Sequence, residues 1–267
     1  MTSTVIITGA SQGIGKATAL LFAQKGYDVV LAARQPERLE TAAAQVRQLG
    51  RKALAIPTDV RNAQQVNNLI VQALDFADNN IDVLVNNAGI CLTGPMENTT
   101  LDDWQQLMDT NFWAYVYAIQ AIIPHFSQQG HGTIVNVGSF GGKMPLPNMT
   151  AYCASKYAVT GLTDTLRLEL QPKGIHVCAV QPSVTNSNFM ERAQFRGRDE
   201  NTAQESRQKM SNLLNTSVAS QPEDVAKAIW DVVKYRKNEV VVGSGAMFST
   251  LYQFFPGLMQ WAMQKSS

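Results

Sequence analysis

The sequence predicts an α/β fold in one domain over 1–267: a doubly wound, mostly seven-stranded parallel sheet with helices on both faces. Three observations predict it. Short apolar runs alternate with amphipathic helical stretches along most of the chain. Several of those runs, such as Val5-Ile6-Ile7 and Ile81 to Val85, are continuously apolar, as strands covered on both faces must be. A glycine-rich turn follows the first run and opens the first helical stretch. At 267 residues and 45% apolar side chains, the chain can build one substantial core.

Val5-Ile6-Ile7 forms the first strand. The turn Thr8-Gly9-Ala10-Ser11-Gln12-Gly13-Ile14-Gly15 follows, and a helical pattern through Leu20, Leu21 and Ala23 runs to Gly26. Strand, glycine turn and helix in this order make a phosphate-binding opening. Glycines let the backbone turn tightly and approach a diphosphate, which rests at the helix N-terminus. The spacing is GxxxGxG rather than GxGxxG. Gly15-Lys16 does not complete a P-loop, which needs Gly where Ala10 stands and Ser or Thr where Ala17 stands. The second strand spans Tyr27 to Ala33. An acidic residue at its end would hold a ribose 2′-hydroxyl, but here Arg34 follows, with Arg38 one helical turn on. Guanidinium groups pair with a 2′-phosphate, so NADP(H) is expected over NAD(H).

Pro36 to Gly50 reads as an amphipathic helix, with proline in its first turn and glycine at its end. Ala53 to Ile56 is the third strand and leads to Asp59-Val60. A helix over 63–78 carries Val66, Leu69, Ile70, Ala73 and Leu74 on one face. Ile81 to Val85 is the fourth strand, closed by Asn86-Asn87-Ala88-Gly89, whose amides can bond neighbouring backbone and cofactor or simply make a turn. One long helical region is expected from Asp102 to Gln129, with Asn111 interrupting its apolar face, where a buried amide needs a partner. Thr133 to Val137 is the fifth strand and ends at Gly138-Ser139. The next helix opens at Tyr152-Cys153-Ala154-Ser155-Lys156 and continues through Leu162, Leu166 and Leu170. Residues four apart share a helix face, so Tyr152 and Lys156 point the same way, and an ammonium beside a phenol is expected to lower its pKa. Ile175 to Gln181, a helix over Pro222 to Arg236 and a strand over Glu239 to Val242 complete the pattern.

Two segments stand outside the alternation. The stretch 183–216 is polar and the least regular, with Phe189, Met190 and Phe195 among charges, and is expected to form a substrate lid. The tail, about 246–264, is rich in large apolar groups but is interrupted by Pro256-Gly257, Gln253 and Gln260, which argues against a membrane span. It is expected to wall the substrate pocket or pack between subunits. A peripheral membrane contact is the less favoured reading, since the basic face such helices carry is missing. With Met144, Pro145, Leu146 and Pro147 near Ser139, an apolar substrate cavity is expected.

Composition narrows the partners. A net charge of +1 gives no basic surface for nucleic acid. Three cysteines, Cys91, Cys153 and Cys178, form no CxxC pair and suit a reducing compartment as buried fillers. His125, His131 and His176 lack metal-ligand spacing, so no metal is expected. Met1-Thr2-Ser3-Thr4 leads straight into the first strand without a signal peptide, and a cytoplasmic location is expected.

Taken together, Thr8-Gly9-x3-Gly13-x-Gly15, Asp59, Asn86-Asn87-Ala88-Gly89, Asn111, Ser139 and Tyr152-x3-Lys156 resemble the short-chain dehydrogenase/reductase family over about residues 4–243. The resemblance implies a single-domain Rossmann fold and an oxidoreductase of the small single-domain branch. It implies that Tyr152 exchanges a proton with the substrate oxygen, that Ser139 polarises a carbonyl, and that Lys156 lowers the Tyr152 pKa and holds the nicotinamide ribose. Asn111 would orient a water linking Lys156 to solvent. Gly9, Ser11, Gln12, Gly13, Ile14 and Gly15 would line the diphosphate, Asp59 and Val60 the adenine, and Asn87, Ala88 and Gly89 the path between. Pro182, Thr185 and Ser187 would hold the carboxamide end, although Pro182-Ser183-Val184-Thr185-Asn186-Ser187 departs from the family pattern where Ser183 replaces glycine, Thr185 an aliphatic residue and Ser187 threonine. The function expected is hydride transfer between NADP(H) and a hydrophobic ketone, aldehyde or alcohol. A 3-oxoacyl thioester reductase is the alternative within the class, and a non-catalytic NADP(H)-binding sensor the alternative outside it. The family also implies a homodimer or homotetramer.

Overall fold

Residues 2–187, 189–216, 219–243 and 245–266 are described by a computed structural model; Met1 lies outside them, as do the side chains of Phe189, Ala246, Met247, Thr250 and Ser266. Each apolar run becomes a strand because both its faces are covered. β1 (Thr4–Thr8) is buried along its whole length and is followed by α1 (Gly13–Gln24), β2 (Asp28–Ala33), α2 (Pro36–Gln48), β3 (Ala53–Pro57), α3 (Ala63–Phe76) and β4 (Val83–Asn86). A short β5 (Cys91–Thr93) leads into α4 (Leu101–Met108). A π-helical turn over Asp109–Trp113 separates α4 from α5 (Ala114–Gln129). Then come β6 (Gly132–Val137), α6 (Thr150–Leu170), β7 (Ile175–Pro182), β8 (Ala193–Phe195), α7 (Glu200–Leu214), α8 (Pro222–Lys234), β9 (Glu239–Val242), α9 (Gly245–Phe254) and α10 (Pro256–Ser266).

Seven strands form one parallel sheet in the order β3-β2-β1-β4-β6-β7-β9. The chain winds outward from β1 in one direction and, from β4 on, in the other. Between β1 and β4 their C-terminal ends therefore open a crevice, the place where such sheets bind ligands. Two cores flank the sheet. Phe22, Leu31, Leu39, Val46 and Ile229 fill the face under α1, α2 and α8. Tyr115, Ile119, Phe126, Leu69 and Leu84 fill the face under α3, α5 and α6. Each such side chain, taken from water, contributes about 1.5–3 kcal/mol before chain entropy is counted.

One expectation is refined and two need correction. The region 102–129 is helical throughout, as expected, but a π turn over Asp109–Trp113 inserts an extra residue into its ladder between α4 and α5. The stretch 183–216 is not irregular throughout. α7 lies in it, started by Asp199 and Thr202, which exchange hydrogen bonds at 2.8 Å and 3.2 Å as a capping box. β8 in the same stretch pairs in parallel with β5, Cys91 opposite Ala193. Finally, among the described residues none from 245 to 266 lines the cavity beside Tyr152, whereas Met210, Leu213 and Leu214 of α7 do. Phe254, Phe255 and Leu258 are instead exposed. Among the described residues no helix is long and apolar enough to cross a membrane.

Candidate active site

The crevice holds two joined compartments. One, of about 200 Å³, is bounded by Gly9, Ser11, Gln12, Arg34, Arg38, Asp59, Val60, Ala88 and Gly89. The other, of about 340 Å³, is bounded by Gln12, Ile14, Asn87, Gly89, Ser139, Tyr152, Lys156, Pro182, Thr185 and Ser187, with Leu146, Pro147 and Leu213 supplying apolar wall. Of the residues expected to be catalytic or to bind the cofactor, Gly13, Gly15 and Asn111 line neither. Of the loop expected to give apolar wall, Leu146 and Pro147 line the cavity while Met144 and Pro145 do not.

Gly13 and Gly15 act from beneath the floor. Gly13 has φ +53°, and a Cβ on it would lie 2.7 Å from the Ser187 carbonyl oxygen. A Cβ on Gly15 would collide with the Gly9 carbonyl and lie 2.6 Å from Asn87 Nδ2. Only glycine lets α1 begin so close to the crevice, with its free N–H groups facing in. The Asn87 side chain is spent on the same turn: Nδ2 donates to Thr8 O at 2.9 Å and to Gly9 O at 3.3 Å. Asn86 points the other way and donates to Asn136 Oδ1 at 3.0 Å.

The mouth of the smaller compartment is cationic. Arg34 and Arg38 are joined by Arg61, which sequence inspection passed over; it pairs with Asp59 (Nη2–Oδ2 2.6 Å) and holds that carboxyl below the usual carboxylate range. Arg38 is engaged as well. Its Nη1 lies 2.9 Å from Glu191 Oε2, reaching across to the segment before β8.

At the other end, burial governs the chemistry. Lys156 is 5% exposed; its Nζ donates to Val137 O at 3.1 Å and lies 5.7 Å and 6.0 Å from the Tyr115 and Tyr152 ring centres. Desolvation lowers its pKa to about 8. Burial raises the Tyr152 phenol well above its ordinary value, opposed by a hydrogen bond with Ser139. The direction is opposite to the lowering expected from an adjacent ammonium, because taking the phenolate out of water is the largest influence on Tyr152. Ser139 Oγ accepts from Gly141 N at 3.1 Å, and its hydroxyl hydrogen bonds the Tyr152 oxygen beside the cavity.

Two supports of this end were missed in the sequence. Gln181, fully buried in β7, accepts from Ser139 N at 2.7 Å and donates to Glu239 Oε1 at 3.0 Å. Its signal was an amide inside an apolar strand. Tyr115 donates to Val137 O at 2.9 Å, sharing that carbonyl with Lys156. Asn111, aimed inward from the π turn, accepts from Ile90 N at 2.9 Å and donates to Ile90 O and Ser155 Oγ, both at 3.0 Å. Both of its amide hydrogens are used within the protein, so it ties the Gly89–Ile90 segment to α6.

The cysteines are buried, and burial pushes the Cys91 and Cys178 thiols up to about 12. Among the described residues no group of three His, Cys, Asp or Glu side chains is arranged to hold a metal.

A family model for short chain dehydrogenases matches residues 3–198. The NADP-dependent 3-hydroxy acid dehydrogenase of Escherichia coli is 31% identical over 227 residues, covering 85% of this chain and 87% of that protein. The ketoacyl reductase of Nostoc sp. is 33% identical over 248 residues, covering 93% and 81%. A short-chain dehydrogenase from Sphingobium yanoikuyae, solved in complex with NADPH, superposes with a TM-score of 0.78 at 30% identity, covering 97% of this chain and 95% of that one.

Proposed function

This chain belongs to the short-chain dehydrogenase/reductase family, and from that premise we propose that it transfers a hydride between NADP(H) and the carbonyl or alcohol carbon of a hydrophobic substrate. One observation carries the proposal. The hydroxyls of Ser139 and Tyr152 and the Lys156 ammonium bound one side of an apolar cavity that opens directly onto the glycine turn.

The residues fit the dinucleotide. The floor formed by Gly13 and Gly15 leaves no room for a Cβ, and the guanidinium groups of Arg34 and Arg38 border the compartment where a 2′-phosphate would stand. NADPH, when bound, supplies the hydride and, as NADP+, accepts it in reverse. Tyr152 gives its proton to the substrate oxygen as negative charge develops there, and a phenol kept protonated by burial holds that proton ready at neutral pH. Ser139 donates its hydroxyl hydrogen to the same oxygen. Lys156, largely protonated below its pKa of about 8, places positive charge under the phenol as the proton leaves. Asn111 and Gln181 position these groups without touching the reacting atoms.

Reduction of a 3-oxoacyl thioester or oxidation of a 3-hydroxy acid stands as the second reading, favoured by the two relatives above. Association into a homodimer or homotetramer belongs to the same proposal; exposed Trp113 and Leu168, on the π turn and α6, support it. The test is loss of NADPH absorbance against neutral ketones, aldehydes, 3-oxoacyl thioesters and 3-oxo acids, with NADH in parallel. Turnover with NADPH is expected, and the fastest class names the substrate. NADPH binding without turnover on any class would instead favour a sensor.

A further inference from the structure

Arg192, immediately before β8, is among the described residues the one charged side chain that borders both compartments; Gln12, Gly89 and Ile90 are its uncharged companions at the junction. Its polar atoms are poorly satisfied. Nε is buried with no hydrogen-bond partner among the described residues, and Nη2 has only a long 3.4 Å bond to Ser187 O. Arg192 is half-buried, and a buried guanidinium nitrogen whose bond is unmade is costly unless a ligand completes it. That same Ser187 carbonyl is the atom packed over Gly13, so the guanidinium hangs above the glycine turn at the start of α1. Its titratable neighbours are Glu191 beside it in the chain, Arg34 on the adenosine side and the neutral Tyr152 phenol on the catalytic side.

The geometry points to Arg192 as an anion-binding residue contributed by the lid, which closes over the cofactor's diphosphate from the side opposite the α1 N-terminus. The inference rests on the NADP(H) reading above and deepens it. A group that spans the two compartments at the glycine turn stands where a diphosphate must cross between them, and the fork of a guanidinium matches phosphate oxygens. The neighbouring Glu191 holds Arg38 across the adenosine mouth. Residues 191 and 192 thus reach down together over the crevice, one acid and one base.

The experiment is isothermal titration of the full chain, as wild type, Arg192→Leu and Arg192→Lys, with NADPH, ADP-ribose and 2′-AMP. ADP-ribose keeps the diphosphate without nicotinamide, and 2′-AMP keeps the 2′-phosphate without the diphosphate. Arg192→Leu is expected to weaken NADPH and ADP-ribose roughly ten- to hundredfold while moving 2′-AMP by less than about twofold. Arg192→Lys should recover part of the loss, and unchanged thermal melting would show that both variants fold. Unchanged NADPH and ADP-ribose affinity in a folded Arg192→Leu would overturn the inference while leaving the cofactor reading intact. If that variant instead raised KM only for carboxylate-bearing 3-oxo acids, the guanidinium would belong to the substrate and the inference would again fall. A wild type that binds neither NADPH nor ADP-ribose would defeat the cofactor reading itself.

Discussion

The two ends of the crevice are built from different materials. Around the glycine turn the structure relies on backbone: Gly13 and Gly15 bring α1 close, and Asn87 spends its amide on the carbonyls of Thr8 and Gly9. Around Tyr152 it relies on side chains held out of water, where Lys156 falls to about 8 and the phenol rises. The first end gains affinity from geometry that costs little to keep. The second carries a buried ammonium whose desolvation weighs against the folded state. Binding and chemistry should therefore separate under mutation.

The sharpest break is expected at the floor. Gly15→Val puts branched carbon into the Gly9 carbonyl and Asn87 Nδ2, and NADPH affinity should fall by about a hundredfold or more, measured by titration, at a stability cost of about 1–3 kcal/mol. Next comes the electrostatic cost at the other end. In the folded chain Lys156 loses its proton near pH 8, in the unfolded chain only near about 10.4. Between those values the unfolded chain holds the extra proton, so stability rises with pH, and below pH 8 the full cost is present. Relative to Lys156→Met, the wild type should gain about 2–3 kcal/mol between pH 7 and pH 10 in urea unfolding. A difference that stays flat with pH would show that burial does not govern this end.

Smaller effects sharpen the contrast within the cationic mouth. Arg34→Ala should lower the preference for NADPH over NADH by about tenfold in kcat/KM, since one charge-assisted contact is lost. Arg38→Ala should change NADPH affinity by only about twofold, because Arg38 already has Glu191, and an exposed pair of that kind is worth about 0–1 kcal/mol. Equal effects at the two arginines would mean that the Glu191 pair does not persist in solution.

The same division decides what could be read in the sequence. Strand, glycine turn and helix over 4–24 are local, so their spacing alone reveals them, and the seven sheet strands follow from continuous apolar runs. Residues on helix faces, such as Tyr152 and Lys156, are legible for the same reason. α7 was hidden because it buries only Leu214 among its described side chains and has no apolar stripe; its sole sequence signal is Asp199 three residues before Thr202. The π turn was hidden because it is a change of one residue in phase. Arg192, Gln181 and Tyr115 depend on contacts tens of residues distant, which no local period records. The direction of the Tyr152 shift was misjudged because spacing shows a neighbour but not the water removed from around it.

The central claim, that the phenol acts in chemistry while the glycine end binds without it, is tested most directly by Tyr152→Phe. NADPH titration and single-turnover reduction of the best carbonyl substrate would be measured on the same sample. The account predicts a hydride-transfer rate reduced by about 10²–10⁴-fold, with NADPH affinity held within about twofold. Turnover near the wild-type rate would contradict it, as would a parallel collapse of NADPH binding.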